Sequence, residues 1–234
     1  AYFLLYFVAL YYWLFSRKRY LKYYFRDRLG YSYLRSNLSI YKLYFRFGQV
    51  LIDKVVLLSG IRKVFTFDLD GDHHLRNMKE GGMLIGAHMG NWEIASQLLQ
   101  DLPQRIYIVM YDEEHQRIKS LLDDVMKEKT FDIIPIKNDL SHIIAIHKAL
   151  QEKGLVVMHG DRYIEGSKIL EAPVLGKKAK LPFGPFHLAI KSGFPVTFVF
   201  AMKETSKHYH FYATEPKEYK KANRLSAQVE KFVS

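Results

Sequence analysis

The chain of 234 residues contains no cysteine, which excludes a disulfide-stapled scaffold, thiolate zinc sites, iron–sulfur clusters and a cysteine nucleophile. Internal repeats, low-complexity tracts and Gly/Ser linkers are also absent, so nothing marks a chain of tethered modules. Acidic residues are few, 24 Asp+Glu against 35 Lys+Arg, yet no helix-turn-helix, zinc-finger or RNP-like pattern accompanies the basic excess, and nucleic acid is not the expected partner. His73, His74, His115, His142, His147, His187, His208 and His210 show no metal-ligand spacing at strand ends. What is present, 49% hydrophobic and 25% charged residues, is the composition of a folded globular protein with ample length for a core.

The charge is unevenly placed. Residues 1–60 hold ten Lys/Arg against Asp27 and Asp53, a net of +8, leaving +3 for the remainder, and 18 of the 35 aromatic residues fall between Tyr2 and Phe47. A basic, aromatic segment suits either a nucleic-acid surface or a membrane interface, where Tyr and Trp sit at headgroup depth. The opening run AYFLLYFVALYYWLF favours the membrane: it is apolar all round and carries no charge, Gly or Pro. As a helix it extends about 22 Å, short of the ~30 Å hydrocarbon core. It reads as the tail of a spanning helix or as a shallowly inserted one, with a buried aromatic core helix as the alternative. Arg17, Lys18 and Arg19 follow it and would hold the rest on the cytoplasmic face against anionic headgroups. The basic residues follow the apolar run, unlike a secretory signal. The chain opens on Ala and not Met, so upstream sequence is expected.

From about Val64 onward, short apolar runs alternate with amphipathic ones. Strands are expected at Val64–Phe67, Met83–Ala87, Arg105–Tyr111, Phe131–Ile136, Leu155–His159, Pro195–Met202 and Tyr209–Thr214. Helices are expected at Asn91–Gln100, Glu113–Lys129, Leu140–Lys153, Pro185–Ser192 and Tyr219–Phe232. This alternation implies an α/β fold with a mainly parallel central sheet flanked by helices, preceded by an N-terminal hydrophobic and amphipathic helical segment. The domain reading is a membrane-proximal segment over 1–60 and an α/β catalytic domain over 61–234.

In such sheets ligands bind beyond the carboxyl ends of the strands. The segment MLIGAHMGNWEIASQLLQ ends a strand at Ala87 and places His88 on the turn that follows, Gly90 where close backbone approach is needed, Asn91 as an N-cap and Glu93 in the first helical turn. Five residues advance about 500° on a helix, so His88 and Glu93 meet only if His88 precedes it. Glu93 then holds one ring nitrogen and leaves the other as a general base. Amides at the helix start could hold a phosphate or a developing oxyanion.

GAHMGNWEIAS resembles the HxGNWE-type block of the bacterial lysophospholipid-acyltransferase-like family, which includes the late lauroyl and myristoyl acyltransferases of lipid A biosynthesis. APVLGKKAKLPFGPFHLAIKSGFPVTFVF is similar to that family's second block, and the likeness runs from about Phe47 to Thr214. The resemblance implies transfer of a fatty acyl group from acyl carrier protein, or acyl-CoA, to a hydroxyl of a membrane lipid, with His88 as base and Glu93 as its orienting carboxylate. It implies no cofactor and no metal. It also places Asp161 and Arg162, after the strand ending at His159, near the acceptor, with His159 a further polar contact. Lys177 and Lys178 are candidates for lipid phosphate or carrier protein, and Gly184 for a backbone role. The family's usual arginine before the strand at 131–136 is replaced here by Lys127 and Lys129, point charges that bind a phosphate less specifically. Acylation of another glycolipid or of a polyene-type lipid, and a non-catalytic lipid-binding scaffold of the same fold, stay open. The family's continuation after Ser234 is expected as well.

Overall fold

The structure, a computed structural model, describes residues 2–59, 61–91, 99, 102–111, 131–137, 139–174 and 176–219. The chain separates into two compact units, Ala1–Val64 and Phe65–Ser234.

In the first unit α1 (Tyr2–Phe15) is joined through α2 (Arg19–Lys22) and a π-helical turn (Tyr23–Arg28) to α3 (Tyr33–Leu58). Ser32 caps α3, its hydroxyl accepting from the Arg35 amide. α1 packs on α3 through Leu5, which sits over Gly48 where a side chain would intrude. The Trp13 indole donates to the Asn37 carbonyl at 3.1 Å, and the Tyr2 hydroxyl donates to the buried Asp53 carboxylate. Much of α1 faces solvent, with Phe3 71%, Phe7 59% and Phe15 73% exposed. Among the described residues no helix is long and apolar enough to cross a membrane.

The second unit is a seven-stranded sheet of order β1-β9-β8-β2-β5-β3-β4, with a separate hairpin β6-β7. The strands are β1 (Thr66–Asp70), β2 (Gly82–Gly90), β3 (Ile106–Tyr111), β4 (Phe131–Ile136), β5 (Leu155–His159), β6 (Ile169–Val174), β7 (Lys177–Pro182), β8 (Val196–Lys203) and β9 (His208–Ala213). Its helices are α4 (Asp72–Asn77), α5 (Ser141–Gln151) and α6 (Phe183–Ser192). Every pairing in the large sheet is parallel except β8 with β9. Strands buried on both faces carry continuous apolar runs, and β2 shows it: Met83 and Ile85 pack with Val156, Met158 and α6 residues Phe186 and Ala189, while Leu84 packs with Ile108, Leu155 and Phe211. The mainly parallel α/β architecture expected from the sequence is the one found.

Three boundaries are corrected and one hairpin is added. β2 does not stop at Ala87 but runs to Gly90, with a register shift against β8 between Gly86 and Gly90, so His88 lies on an irregular strand end and not in a turn. β1 covers Thr66–Asp70 and not Val64–Phe67, because Arg62–Val64 close a 3-10 turn first. α6 starts at Phe183, two residues before the expected Pro185. The hairpin β6-β7 is not among the expected strands, because Pro173 and three lysines hide its alternation. The helices expected at 91–100, 113–129 and 219–232 lie outside the described residues, apart from a few positions at their ends.

Gly90 ends β2 with φ +75°, and a Cβ there would lie 1.7 Å from the Ala201 carbonyl oxygen. No rotamer relieves a backbone clash, so Gly90→Ala is expected to destabilise the fold by about 2 kcal/mol or more and displace the end of β2. A fall in thermal midpoint of several degrees checks it.

Candidate functional site

The register of the sheet assembles the site. β2 and β5 pair with a constant offset, Met83 opposite Val156 and Gly86 opposite His159. Two residues beyond the last pair, the same offset sets His88 against Asp161. There the Asp161 carboxylate takes hold of His88 twice: the backbone amide donates to one oxygen at 3.0 Å, and ring Nδ1 lies 2.9 Å from the other. Burial pushes the Asp161 carboxyl up, but the hydrogen bonds from the His88 ring and amide outweigh burial and hold it below its ordinary value of 3.8. An ionised Asp161 can only accept, so Nδ1 carries the ring proton and Nε2 the lone pair.

The His159 ring lies against His88, centroids 4.1 Å apart and planes inclined by 30°. Gly86 lies alongside it: a Cβ there would be in ordinary contact with His159 Nδ1 at 3.6 Å and closer, at 3.3 Å, to the Val199 carbonyl oxygen. Burial, reinforced by the neighbouring His88, lowers the His159 pKa from 6.5 to about 4, against opposing pulls from Asp161 and the Gly86 carbonyl. His159 is therefore neutral in the folded protein at neutral pH. Its unfolded form gains a proton as pH falls below 6.5, and the folded form cannot follow until about 4. Stability is thus unaffected above pH 7 and is lost on acidification, by about 2 kcal/mol at pH 5. Denaturant unfolding at pH 7 and pH 5 checks this, and in His159→Phe that loss is expected to vanish.

A groove of about 580 Å³ opens beside this pair. His88, His159, Arg162, Ser167, Lys168 and Gly184 line it together with Ile108, Val109, Met110, Ile146, Met158 and Leu188. Its size and mixture, mostly apolar with a few polar groups at one place, suit an elongated apolar ligand with a reactive polar end. The sequence thus named His88, His159, Asp161, Arg162 and Gly184 separately, and the fold gathers them. Lys177 and Lys178 lie instead on the exposed β7, where Lys178 faces Glu171 at 3.6 Å. Asn91 is 1% exposed; its backbone amide donates to the Ala201 carbonyl at 2.9 Å, and its side-chain nitrogen and oxygen have no hydrogen-bond partner among the described residues. Glu93 lies outside the described residues. The hold of Asp161 on the His88 ring was not legible, because the β2–β5 register that creates it is not written in either motif. Lys168 and Ser167 also line the groove, in a stretch to which the sequence assigns no motif.

The model of the bacterial lipid A biosynthesis acyltransferase family matches residues 54–234. The chain belongs to that family. A search of curated proteins gives no match. An acyltransferase of this family acts on a lipid, and the groove beside His88 combines apolar walls with polar groups. His88, His159 and Asp161 also offer one metal-ligand atom each, all within 4.8 Å of one another.

Proposed function

We propose that this acyltransferase moves a fatty acyl group from an acyl thioester, carried by acyl carrier protein or coenzyme A, to a hydroxyl of a membrane glycolipid such as a lipid A precursor. The His88–Asp161 pair at the head of an apolar groove carries the reading. His88 Nε2 takes the proton of the acceptor hydroxyl as its oxygen attacks the thioester carbonyl. Asp161 fixes the tautomer and stabilises the imidazolium that forms. The tetrahedral intermediate then expels the thiolate, which recovers the proton from His88, leaving ester and thiol; no covalent enzyme intermediate is needed. The acyl chain occupies the groove. Arg162 and Lys168 at its polar end meet an anionic group of the donor or acceptor, and Gly90, Asn91 and Gly184 shape the backbone around it. Glu93, five residues after His88, is proposed as a second carboxylate acting on the same ring. Lys177 and Lys178 offer a basic surface that an acidic carrier protein or lipid headgroup complements.

The first unit is proposed to hold the enzyme on the cytoplasmic face of the inner membrane, α1 lying in the interface through its exposed aromatic side chains and Arg17–Arg19 meeting anionic headgroups. Burying a Phe side chain contributes about 1.5–3 kcal/mol. Replacing Phe3, Phe7 and Phe15 by Ser is therefore expected to lower partitioning onto phosphatidylglycerol-containing vesicles by at least about a hundredfold in a flotation assay. Unchanged flotation would place the membrane contact elsewhere.

The experiment that tests the activity is acyl transfer by the purified full chain from acyl carrier protein or acyl-CoA to an extracted lipid pool, followed by mass spectrometry. A product heavier by one acyl group supports it. Thioester left intact, with protein that is folded and bound to vesicles, supports a lipid-binding scaffold instead.

A further inference from the structure

We propose that His88, His159 and Asp161 form a binding site for a divalent transition-metal ion of the zinc class, and that the bound ion switches the acyltransferase off. The second half rests on the reading of His88 as general base.

Two imidazoles and a carboxylate are the donor set such ions prefer. They come from two adjacent strand ends, β2 and the residues at and just after β5, whose register is fixed by the sheet. One ligand atom from each lies within 4.8 Å of the others. Ligand atoms sharing an ion with bonds of roughly 2.0–2.2 Å sit roughly 3–4 Å apart, so small side-chain rotations close the set. The groups are reachable, the side chains of His88 and Asp161 being 18% and 30% exposed, and both histidines line the groove. Remaining positions on the ion are open to water.

Occupancy is incompatible with base catalysis whichever nitrogen of His88 binds. A neutral imidazole has one lone pair. If the ion takes Nε2, the base is gone. If it takes Nδ1, replacing the proton shared with Asp161, that proton moves to Nε2, and again no lone pair faces the acceptor hydroxyl. Neither step releases a proton. The ion is thus an inhibitor of this site and not a participant in transfer, and metal excess would lower acylation without altering the protein.

The test uses the purified full chain. Zinc chloride is titrated calorimetrically into wild type, His159→Phe and Asp161→Asn, with His210→Gln as a control for the distant histidines on β9. In parallel, cobalt(II) is added and its visible absorption is recorded. His159→Phe keeps a ring of similar size in the stack, so a folded comparison survives if Asp161→Asn does not fold. The expected result is one saturable site in wild type and in His210→Gln, weakened at least tenfold in His159→Phe, with the cobalt band lost in that variant and turnover in wild type falling in step with zinc occupancy. Zinc affinity unchanged in His159→Phe, or lost in His210→Gln alone, overturns the metal site and leaves the base reading standing. Zinc bound by the trio with turnover unchanged overturns the switch and the base role of His88 together, while the metal site stands.

Discussion

His88→Ala is expected to lower acyl-transfer turnover by about 10²–10⁴-fold, equivalent to about 3–5 kcal/mol of lost transition-state stabilisation. The effect should fall on kcat and leave KM for the acyl thioester near its wild-type value, because in the proposed mechanism the acyl chain is held by the apolar walls of the groove, with the imidazole acting only on the acceptor hydroxyl. The fold should tolerate the change. His88 lies at the irregular end of β2, beyond the buried stretch Met83–Ile85 that forms the core, so circular dichroism and the unfolding midpoint serve as controls. His88→Gln, which keeps a polar group of similar reach but cannot take up a proton, should be as inactive as Ala. Retention of full turnover by either variant removes His88 from the mechanism.

The second large effect is that of Asp161→Asn, expected to cost about 10²–10⁴-fold in kcat. The substitution preserves shape, and the asparagine carbonyl can still accept from the His88 amide, the bond that measures 3.0 Å in the wild type. Its NH2 group, now facing ring Nδ1, is a donor. It draws the lone pair to Nδ1 and sends the proton to Nε2, the wrong tautomer for a base. Asp161→Ala, in which no amide donor opposes Nδ1, should lose less by this route and more through loosened positioning. Glu93→Gln measured alongside decides which carboxylate orients the ring. A fall confined to Asp161→Asn assigns the orienting role to Asp161, and a larger fall in Glu93→Gln returns it to the residue that the spacing first suggested.

Much of this fold could be read from periodicity, because buried parallel strands leave a strong mark. Met83–Ile85, Ile106–Met110 and Leu155–Met158 are short continuous apolar runs, and each is a strand of the sheet. The pairing order was not readable: nothing local in β8 or β9 says that one lies parallel to β2 and the other runs back against β8. The same gap separated the site residues. His88 and Asp161 stood out individually, one beside Gly90 and Asn91, the other between Gly160 and Arg162, but their separation of 73 residues acquires meaning only when β2 and β5 pair at that offset. The His88–His159 stack likewise depends on the register that sets Gly86 opposite His159, which no motif records. The hairpin β6-β7 went unread because one face carries Glu171, Lys178 and Lys180, while the other sets the small buried Ala172 on the same side as the exposed Lys177, so neither face shows a hydrophobic alternation.

The most direct test of the central claim is a mass-spectrometric comparison of total lipids from cells carrying the wild-type chain and His88→Ala. The expected result is a lipid lighter by one acyl group that accumulates only in the variant, whose headgroup names the acceptor and whose mass deficit names the chain. Coincident lipid profiles, with both proteins folded and equally abundant at the membrane, would contradict it.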